Sequence, residues 1–215
     1  QSLQDGQLYD SNRYTLHGML SRLGVMLDDL GAIPDQPEQL ERALLLASQN
    51  YDVVISSGGV SVGEADYMKA LLAQHGHIEF WKVNMKPGRP LAFGRLGQAY
   101  YFGLPGNPVA VMVTFYQLVR EALLRLMGQT PPQALPLLRV ECVSALNKQK
   151  GRTEFQRGIL FADDDGIWKV KSSGAQGSAI LSAMSAANCF IVLDENTGAV
   201  AAHSTVVVQV LEGLV

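Results

Sequence analysis

Apolar residues recur along the first 127 residues with two alternating spacings, one helical and one typical of buried strands. At 11–24 and from Pro37 onward they fall on one helical face, and capping residues or an N-terminal proline mark the starts. Short β-branched and aromatic runs predict strands at Val25–Leu30, Val53–Ser56, Ile78–Val83, Leu91–Phe93 and Tyr100–Phe102, with further helices at about 66–76 and 108–127. Strands alternating with helices indicate an α/β fold with a doubly wound, mostly parallel sheet.

The pattern changes at 128–132, where closely spaced prolines mark a linker. Beyond it the helical spacing almost disappears, and short apolar runs follow one another at 138–143, 155–161, 168–171, 190–193 and 205–211. Runs of this kind predict a small all-β domain. We therefore expect two domains, an α/β domain at 1–133 and a small β-barrel-like domain at 134–215.

A glycine-rich loop directly follows the strand at 53–56 and precedes a helix. Its small residues are Gly58, Gly59, Ser61 and Gly63. Bare backbone N–H groups ahead of a helix bind anions. The loop also carries the carboxylates of Glu64 and Asp66, which favour a bound metal ion or a partly cationic ligand. The alternative interpretation is that Asp66 only caps the helix while Glu64 is solvated.

A basic turn follows the strand at 78–83. It holds Lys82, Lys86 and Arg89, and the prolines at 87 and 90 stiffen it. A rigid group of cations suits a phosphate or another oxyanion. The alternative is a solvated basic turn.

A third loop, Gly103–Pro108, also follows a strand and precedes a helix. Gly103 and Gly106 allow a ligand to approach the backbone, next to Asn107 and a proline that preforms the helix start. An ordinary strand-to-helix turn is the alternative. Because ligands of open α/β sheets bind at the carboxyl ends of the strands, we expect all three loops at one site.

Weaker signals come from three other positions. Asp35 follows the strand at 25–30, although its setting between two prolines is also that of a turn residue. In the second domain, Arg157 is a candidate ligand-facing cation on a strand, and Ser178 lies in a polar segment. Near the N-terminus, Asp10, Ser11 and Asn12 are interpreted as a helix cap.

Composition and charge exclude several classes of function. The 215 residues carry a net charge of −3, so nucleic acid and anionic membranes are not expected partners. Cys142 and Cys189 lack metal or disulfide spacing and are predicted to be buried, reduced thiols, as in a cytoplasmic protein. No span predicts a transmembrane helix. The glycine loop matches neither GxxxxGK[ST] nor GxGxxG, and no Ser-His-Asp order or metal-ligand histidine spacing is present.

Taken together, the three loops closely resemble the MoeA family of molybdopterin molybdenumtransferases, whose animal counterpart is the E domain of gephyrin. The resemblance rests on Ser57–Tyr67, Lys86–Pro90 and Gly103–Pro108 in this order, and on Phe155–Gly158 and Gln176–Ser178 in the second domain. It implies insertion of molybdenum from molybdate into adenylylated molybdopterin, with Mg²⁺-dependent release of AMP.

The resemblance also implies roles for individual residues. Asp66 and Asp35 correspond to acidic residues of the site, with Glu64 as a further metal ligand. Lys82 and Lys86 correspond to the basic pair that faces the pterin phosphate or molybdate. Arg157 and Ser178 correspond to contributions from the β domain. Arg89 stands where many relatives have lysine, which keeps the charge but changes the hydrogen-bond geometry.

Members of the family are homodimers, and contact with a MogA-type adenylyltransferase is implied. Family members also have further domains, an opening strand and a Thr-Gly-Asp-Glu-type loop ahead of the segment that matches residue 1. We therefore expect impaired catalysis by residues 1–215 alone. Two rival functions are a MogA-like adenylyltransferase, which lacks the β domain and the Lys-Pro-Gly turn, and a gephyrin-like scaffold, which has no need for Asp66, Lys82 and Lys86 together.

Overall fold

The computed structural model describes residues 9–58 and 65–211, with the backbone alone at 65–67. The chain divides into two units that are not contiguous in sequence. Unit 1 comprises Gln1–Lys82 and Pro90–Thr114, and unit 2 comprises Val83–Arg89 and Phe115–Val215. Within the described residues, no helix combines the length and the apolarity that crossing a membrane requires.

Unit 1 is a mixed α/β structure. Its helices are α1 (Ser11–Arg22), α2 (Pro37–Asn50), α3 (Ala65–His75) and α4 (Pro108–Thr114), and its strands are β1 (Val53–Ser57), β2 (Gly76–Lys82), β4 (Pro90–Leu96) and β5 (Ala99–Leu104). The helix predictions at 11–24 and from Pro37 are confirmed by α1 and α2. One face of the sheet packs against α2 and α3 around buried Leu44, Leu72 and Tyr101.

The described strands of unit 1 have the order β1-β5-β4-β2, in which the β1–β5 pair is parallel and the other two pairs are antiparallel. The prediction of a doubly wound, mostly parallel sheet is therefore not confirmed in the described residues. The physical reason lies in the connections: β4 and β5 are joined through Gly97 and Gln98 alone, and a two-residue turn can only join antiparallel strands. The predicted strand at Val25–Leu30 is wrong as well, because among the described residues this segment pairs with no neighbouring strand.

Unit 2 is rich in strands. They are β3 (Met85–Lys86), β6 (Leu137–Cys142), β7 (Thr153–Ala162), β8 (Trp168–Ser172), β9 (Cys189–Leu193) and β10 (Ser204–Val210). Its helical segments are a π-helical segment (Phe115–Val119), α5 (Arg120–Leu126) and α6 (Leu181–Ser185). The predicted helix at 108–127 is thus made of α4, the π-helical segment and α5 in succession.

The strands of unit 2 close on themselves in the order β7-β8-β6-β10-β9, because β9 also pairs with β7. The prediction of a separate β-barrel-like region is confirmed. The interior of the barrel contains both thiols, Cys142 and Cys189, which are free and buried as predicted. The short strand β3 pairs in parallel with the start of β7, at Thr153 and Glu154.

Candidate functional site

The ends of β1 and β5 bring two of the predicted glycines together. Gly58 follows β1 in a left-handed conformation, with φ +88°, and its N–H donates to the carbonyl of Leu104 at 3.0 Å. A Cβ atom placed on Gly106 would lie 3.9 Å from the Cα of Gly58. Gly103, on β5, is paired with Ser56 of β1. The first glycine of the glycine loop, Gly58, therefore lies against the Gly103–Pro108 loop at this end of unit 1.

Asn12 joins the same region, although the sequence indicated only a helix cap there. The cap of α1 is Asp10, whose carboxylate accepts the backbone N–H of Arg13 at 3.2 Å. Asn12 instead donates from Nδ2 to the carbonyl of Gly106 at 2.7 Å. Its Oδ1 atom is buried and has no hydrogen-bond partner in the described part of the chain. Asn12 thus ties α1 to the Gly103–Pro108 loop.

The remaining predicted residues of unit 1 lie at the ends of elements. Lys82 is exposed at the end of β2, opposite Pro90 of β4. Asn107 precedes α4, and its carbonyl accepts the N–H of Val111 at 3.0 Å, as expected at a helix start. Asp35 is exposed shortly before α2. Their roles in ligand binding stay predictions.

Most of the basic turn, from Val83 to Arg89, belongs to unit 2, whereas Lys82 belongs to unit 1. The turn is closed by a hydrogen bond from the Val83 N–H to the Arg89 carbonyl at 2.8 Å. The Lys86 side chain is half exposed, and its ammonium lies 3.3 Å from Oε1 of Glu154, whose side chain is 7% exposed. Arg89 is exposed. The turn therefore presents two cations, and one of them contacts a buried carboxylate.

Arg157 is almost completely buried on β7, with 1% of its surface exposed. Its guanidinium donates to the carbonyls of Ala175, Gln176 and Gly177 at 2.7, 3.1 and 3.0 Å. Burial lowers the pKa of Arg157, and the charge of Glu154 opposes that shift. The side chain thus points into unit 2 and holds the segment that leads to Ser178, instead of pointing outward as the strand pattern suggested. Its assignment to substrate binding stays a prediction.

Four of the predicted site residues in the glycine loop lie outside the described residues: Gly59, Ser61, Gly63 and Glu64. Asp66 is in the first turn of α3, which begins at Ala65, and only its backbone is described. Within the two described ranges, no three His, Cys, Asp or Glu side chains form a group that could hold a metal ion. The predicted metal ligands Asp35, Glu64 and Asp66 stay predictions.

Two protein-family models match the chain in succession. Residues 1–125 match the model described as a probable molybdopterin binding domain, and residues 139–211 match the MoeA C-terminal region, domain IV. The two matches follow the order of the α/β unit and the barrel.

Individual relatives agree with these models. A molybdopterin molybdenumtransferase of Haemophilus influenzae is 45% identical over 207 residues, which cover 96% of this chain and 51% of that protein. Gephyrin of Dictyostelium discoideum is 32% identical over 92% of this chain and 32% of its own length. The crystal structure of a molybdopterin biosynthesis MoeA protein from Pyrococcus horikoshii shares the fold, with a TM-score of 0.82 at 24% identity, over 99% of this chain and 51% of that one. The chain spans about half the length of the transferase it matches.

Proposed function

Because the chain belongs to the family of probable molybdopterin binding domains, joined here to a MoeA C-terminal region, we propose that it is the molybdopterin-handling part of a molybdopterin molybdenumtransferase. The reaction inserts molybdenum from molybdate into adenylylated molybdopterin and releases AMP. The observation that carries the proposal is the 45% identity with a protein of that name over 96% of this chain. Molybdate is the substrate that donates the metal.

The described residues supply groups that suit anionic ligands. Lys82, Lys86 and Arg89 are cations on a strand end and a closed turn, which favours binding of the pterin phosphate and molybdate. Among the described residues, nothing lies closer than 3.9 Å to a Cβ placed on Gly58 or Gly106, which favours a ligand next to the backbone. We assign Gly59, Ser61, Gly63, Gly103 and Asn107 to the same ligand surface, and Arg157 and Ser178 to the contribution of unit 2.

We further propose Mg²⁺ as the cofactor, bound by Asp35, Glu64 and Asp66. Carboxylate oxygens are the protein ligands that Mg²⁺ prefers, so the chemistry of this donor set fits the ion. Bound Mg²⁺ would neutralise charge on the phosphate oxygens of the adenylylated substrate. Asp66 also acts in catalysis in this proposal, together with Lys82 and Lys86.

The rival functions differ in what they require. Transfer of an adenylyl group to molybdopterin, as by a MogA-like enzyme, does not need the barrel, whereas this chain matches the MoeA C-terminal region over 139–211. A gephyrin-like scaffold would not need the cations of the basic turn.

We propose that the protein acts in the cytoplasm as a homodimer and contacts a MogA-type adenylyltransferase, which makes its substrate.

Binding of adenylylated molybdopterin tests this proposal, because binding does not require every catalytic group to be present. We expect Lys86→Ala to weaken binding about 10-fold or more, since hydrogen bonds to charged groups contribute roughly 1.5–3 kcal/mol. Asp66→Asn should weaken Mg²⁺-dependent binding similarly.

The matched control is Lys169→Ala, which removes a lysine paired with Asp163 on the barrel and should leave binding unchanged. Unchanged binding in the first two variants would contradict the site, and Mg-ATP-dependent adenylylation of molybdopterin would favour the MogA-like function.

A further inference from the structure

Glu154 is a buried carboxylate at the start of β7, with 5% of the residue exposed. Its Oε1 accepts a hydrogen bond from Nε2 of Gln156 at 3.0 Å and lies 3.3 Å from the Lys86 ammonium. Arg157 on the same strand adds a further positive charge. An ionised carboxylate is costly to bury unless cations and hydrogen-bond donors compensate it. Glu154 is therefore a fixed anion with Lys86 as its ion-pair partner.

The backbone around Lys86 is fastened to the same strand. Lys86 and Glu154 are paired across the parallel β3–β7 ladder, and the Thr153 N–H donates to the Asn84 carbonyl at 3.2 Å. Nδ2 of Asn84 donates to Glu195 at 2.8 Å, and Met85 is buried at 4% exposure. These contacts fix the backbone of Lys86. Its long side chain would otherwise be free to rotate, because the side chain is 50% exposed.

We propose that Glu154 is a positioning residue that holds the Lys86 ammonium in place for an anionic ligand. The inference rests on the proposed function, since the ligand is the adenylylated pterin or molybdate. A lysine ammonium has three donors, so Lys86 can keep its contact with Glu154 and still donate to a ligand oxygen. Holding the side chain before the ligand arrives removes part of the ordering cost of binding.

Replacing Glu154 by glutamine distinguishes a positioning role from a simple effect of its negative charge, because the two roles predict opposite changes in the affinity for adenylylated molybdopterin. If Glu154 only adds negative charge near an anion site, Glu154→Gln should tighten the binding of adenylylated molybdopterin. If it positions Lys86, the same substitution should weaken binding about 3- to 10-fold, the size expected for ordering one long side chain. Glu154→Asp keeps the charge and should restore part of the loss. Tighter binding by Glu154→Gln would overturn the proposal.

A double-mutant cycle with Lys86→Ala separates positioning from a general structural role. In the Lys86→Ala background, Glu154→Gln should have no additional effect on binding, because the side chain that it positions is gone. Glu195→Gln is the matched control, because it alters the same turn through its hydrogen bond with the uncharged Asn84. Its small effect on binding should be equal in the native protein and in Lys86→Ala. A loss from Glu154→Gln that persists in full without Lys86 would contradict the proposal.

A second measurement needs no ligand and keeps the two proposals distinguishable. The rate at which an amine-reactive ester labels Lys86 should rise several-fold in Glu154→Gln, while labelling of Lys82 in the same protein gives the reference rate. An unchanged Lys86 rate, with the urea midpoint retained, would overturn the ion pair itself. Labelling could instead rise as expected while Lys86→Ala binds adenylylated molybdopterin normally. That result would confirm the ion pair but contradict the proposed ligand site, and neither Lys86 nor Glu154 would then act in substrate binding.

Discussion

Tyr101 on β5 illustrates how one buried hydroxyl group makes the stability of unit 1 depend on pH. The residue has no exposed surface, and its hydroxyl lies 2.7 Å from Oγ of Ser56 on β1. Burial raises the pKa of Tyr101 to about 12, and the Ser56 hydrogen bond opposes the shift. The folded state therefore retains a proton between about pH 10 and 12 that the unfolded state releases. Stability falls as the pH rises through this window, and urea unfolding should show a steeper fall for the native protein than for Tyr101→Phe.

Ser56→Ala is the control for this prediction. It removes the hydrogen bond, at about 1 kcal/mol, but leaves the buried phenol in place, so the loss of stability at high pH should persist. Equal pH dependence in the native protein and in Tyr101→Phe would contradict the shifted pKa.

At the residue scale, the sequence was informative wherever a residue's neighbours along the chain explain its role. The two prolines of the basic turn predicted a rigid presentation of Lys86, and the turn is closed by the Val83–Arg89 hydrogen bond. The partner of Lys86 could not be predicted, because Glu154 reaches it only through the β3–β7 pairing. Asn12 was missed for the same reason: its contact with Gly106 spans 94 positions, and no local spacing encodes it.

At the element scale, periodic helices were predicted well and strand partners were not. α1 and α2 carry their own signals of apolar spacing and helix start. A strand exists only with a hydrogen-bonded neighbour, so the apolar run at Val25–Leu30 was misassigned. The two-residue strand β3 was not predicted, because the prolines of the basic turn indicated a turn there and argued against a central strand.

Two glycine substitutions should change stability in opposite directions. A Cβ on Gly158 of β7 would lie 2.9 Å from side-chain atoms of Cys189, Ile191 and Val170. Gly158→Ala should therefore destabilise unit 2 by about 1–3 kcal/mol, the usual cost of overpacking. Gly18 lies inside α1, and no atom of the described residues lies within 4 Å of an added Cβ, so Gly18→Ala should stabilise unit 1 by about 0.5–1 kcal/mol. Urea unfolding monitored by circular dichroism measures both, and a neutral Gly158→Ala would contradict the barrel interior described above.

At the scale of the whole molecule, the chain passes between the two units more than once. The basic turn groups with the barrel, although β2 and β4 on either side of it belong to unit 1. Closely spaced prolines mark the linker near residue 130. Composition does not reveal which distant strand a short turn will pair with. The cations of the turn are therefore attached to unit 2 by pairing and to unit 1 by chain connection.

Thiol labelling can test whether the turn unfolds with the barrel. Burial raises the pKa of the Cys189 thiol to about 12, so Cys189 stays protonated at neutral pH and should react only when unit 2 opens. Met85, in β3, is 4% exposed, and the thiol introduced by Met85→Cys should become reactive at the same urea concentration as Cys189. The thiol introduced by Val54→Cys, on β1, reports unit 1 in parallel.

The variant that separates the two outcomes is Gly158→Ala, which should destabilise unit 2 selectively because the three atoms nearest to an added Cβ lie within the barrel. In the Gly158→Ala background, the urea concentrations at which Met85→Cys and Cys189 are half labelled should fall by equal amounts. The reason is that the β3–β7 ladder opens together with β7, the strand that carries position 158. A midpoint at Met85→Cys that instead stays with the Val54→Cys probe would show that the turn opens with unit 1. The ladder would then be too weak to hold Lys86, and the positioning role of Glu154 would fail with it.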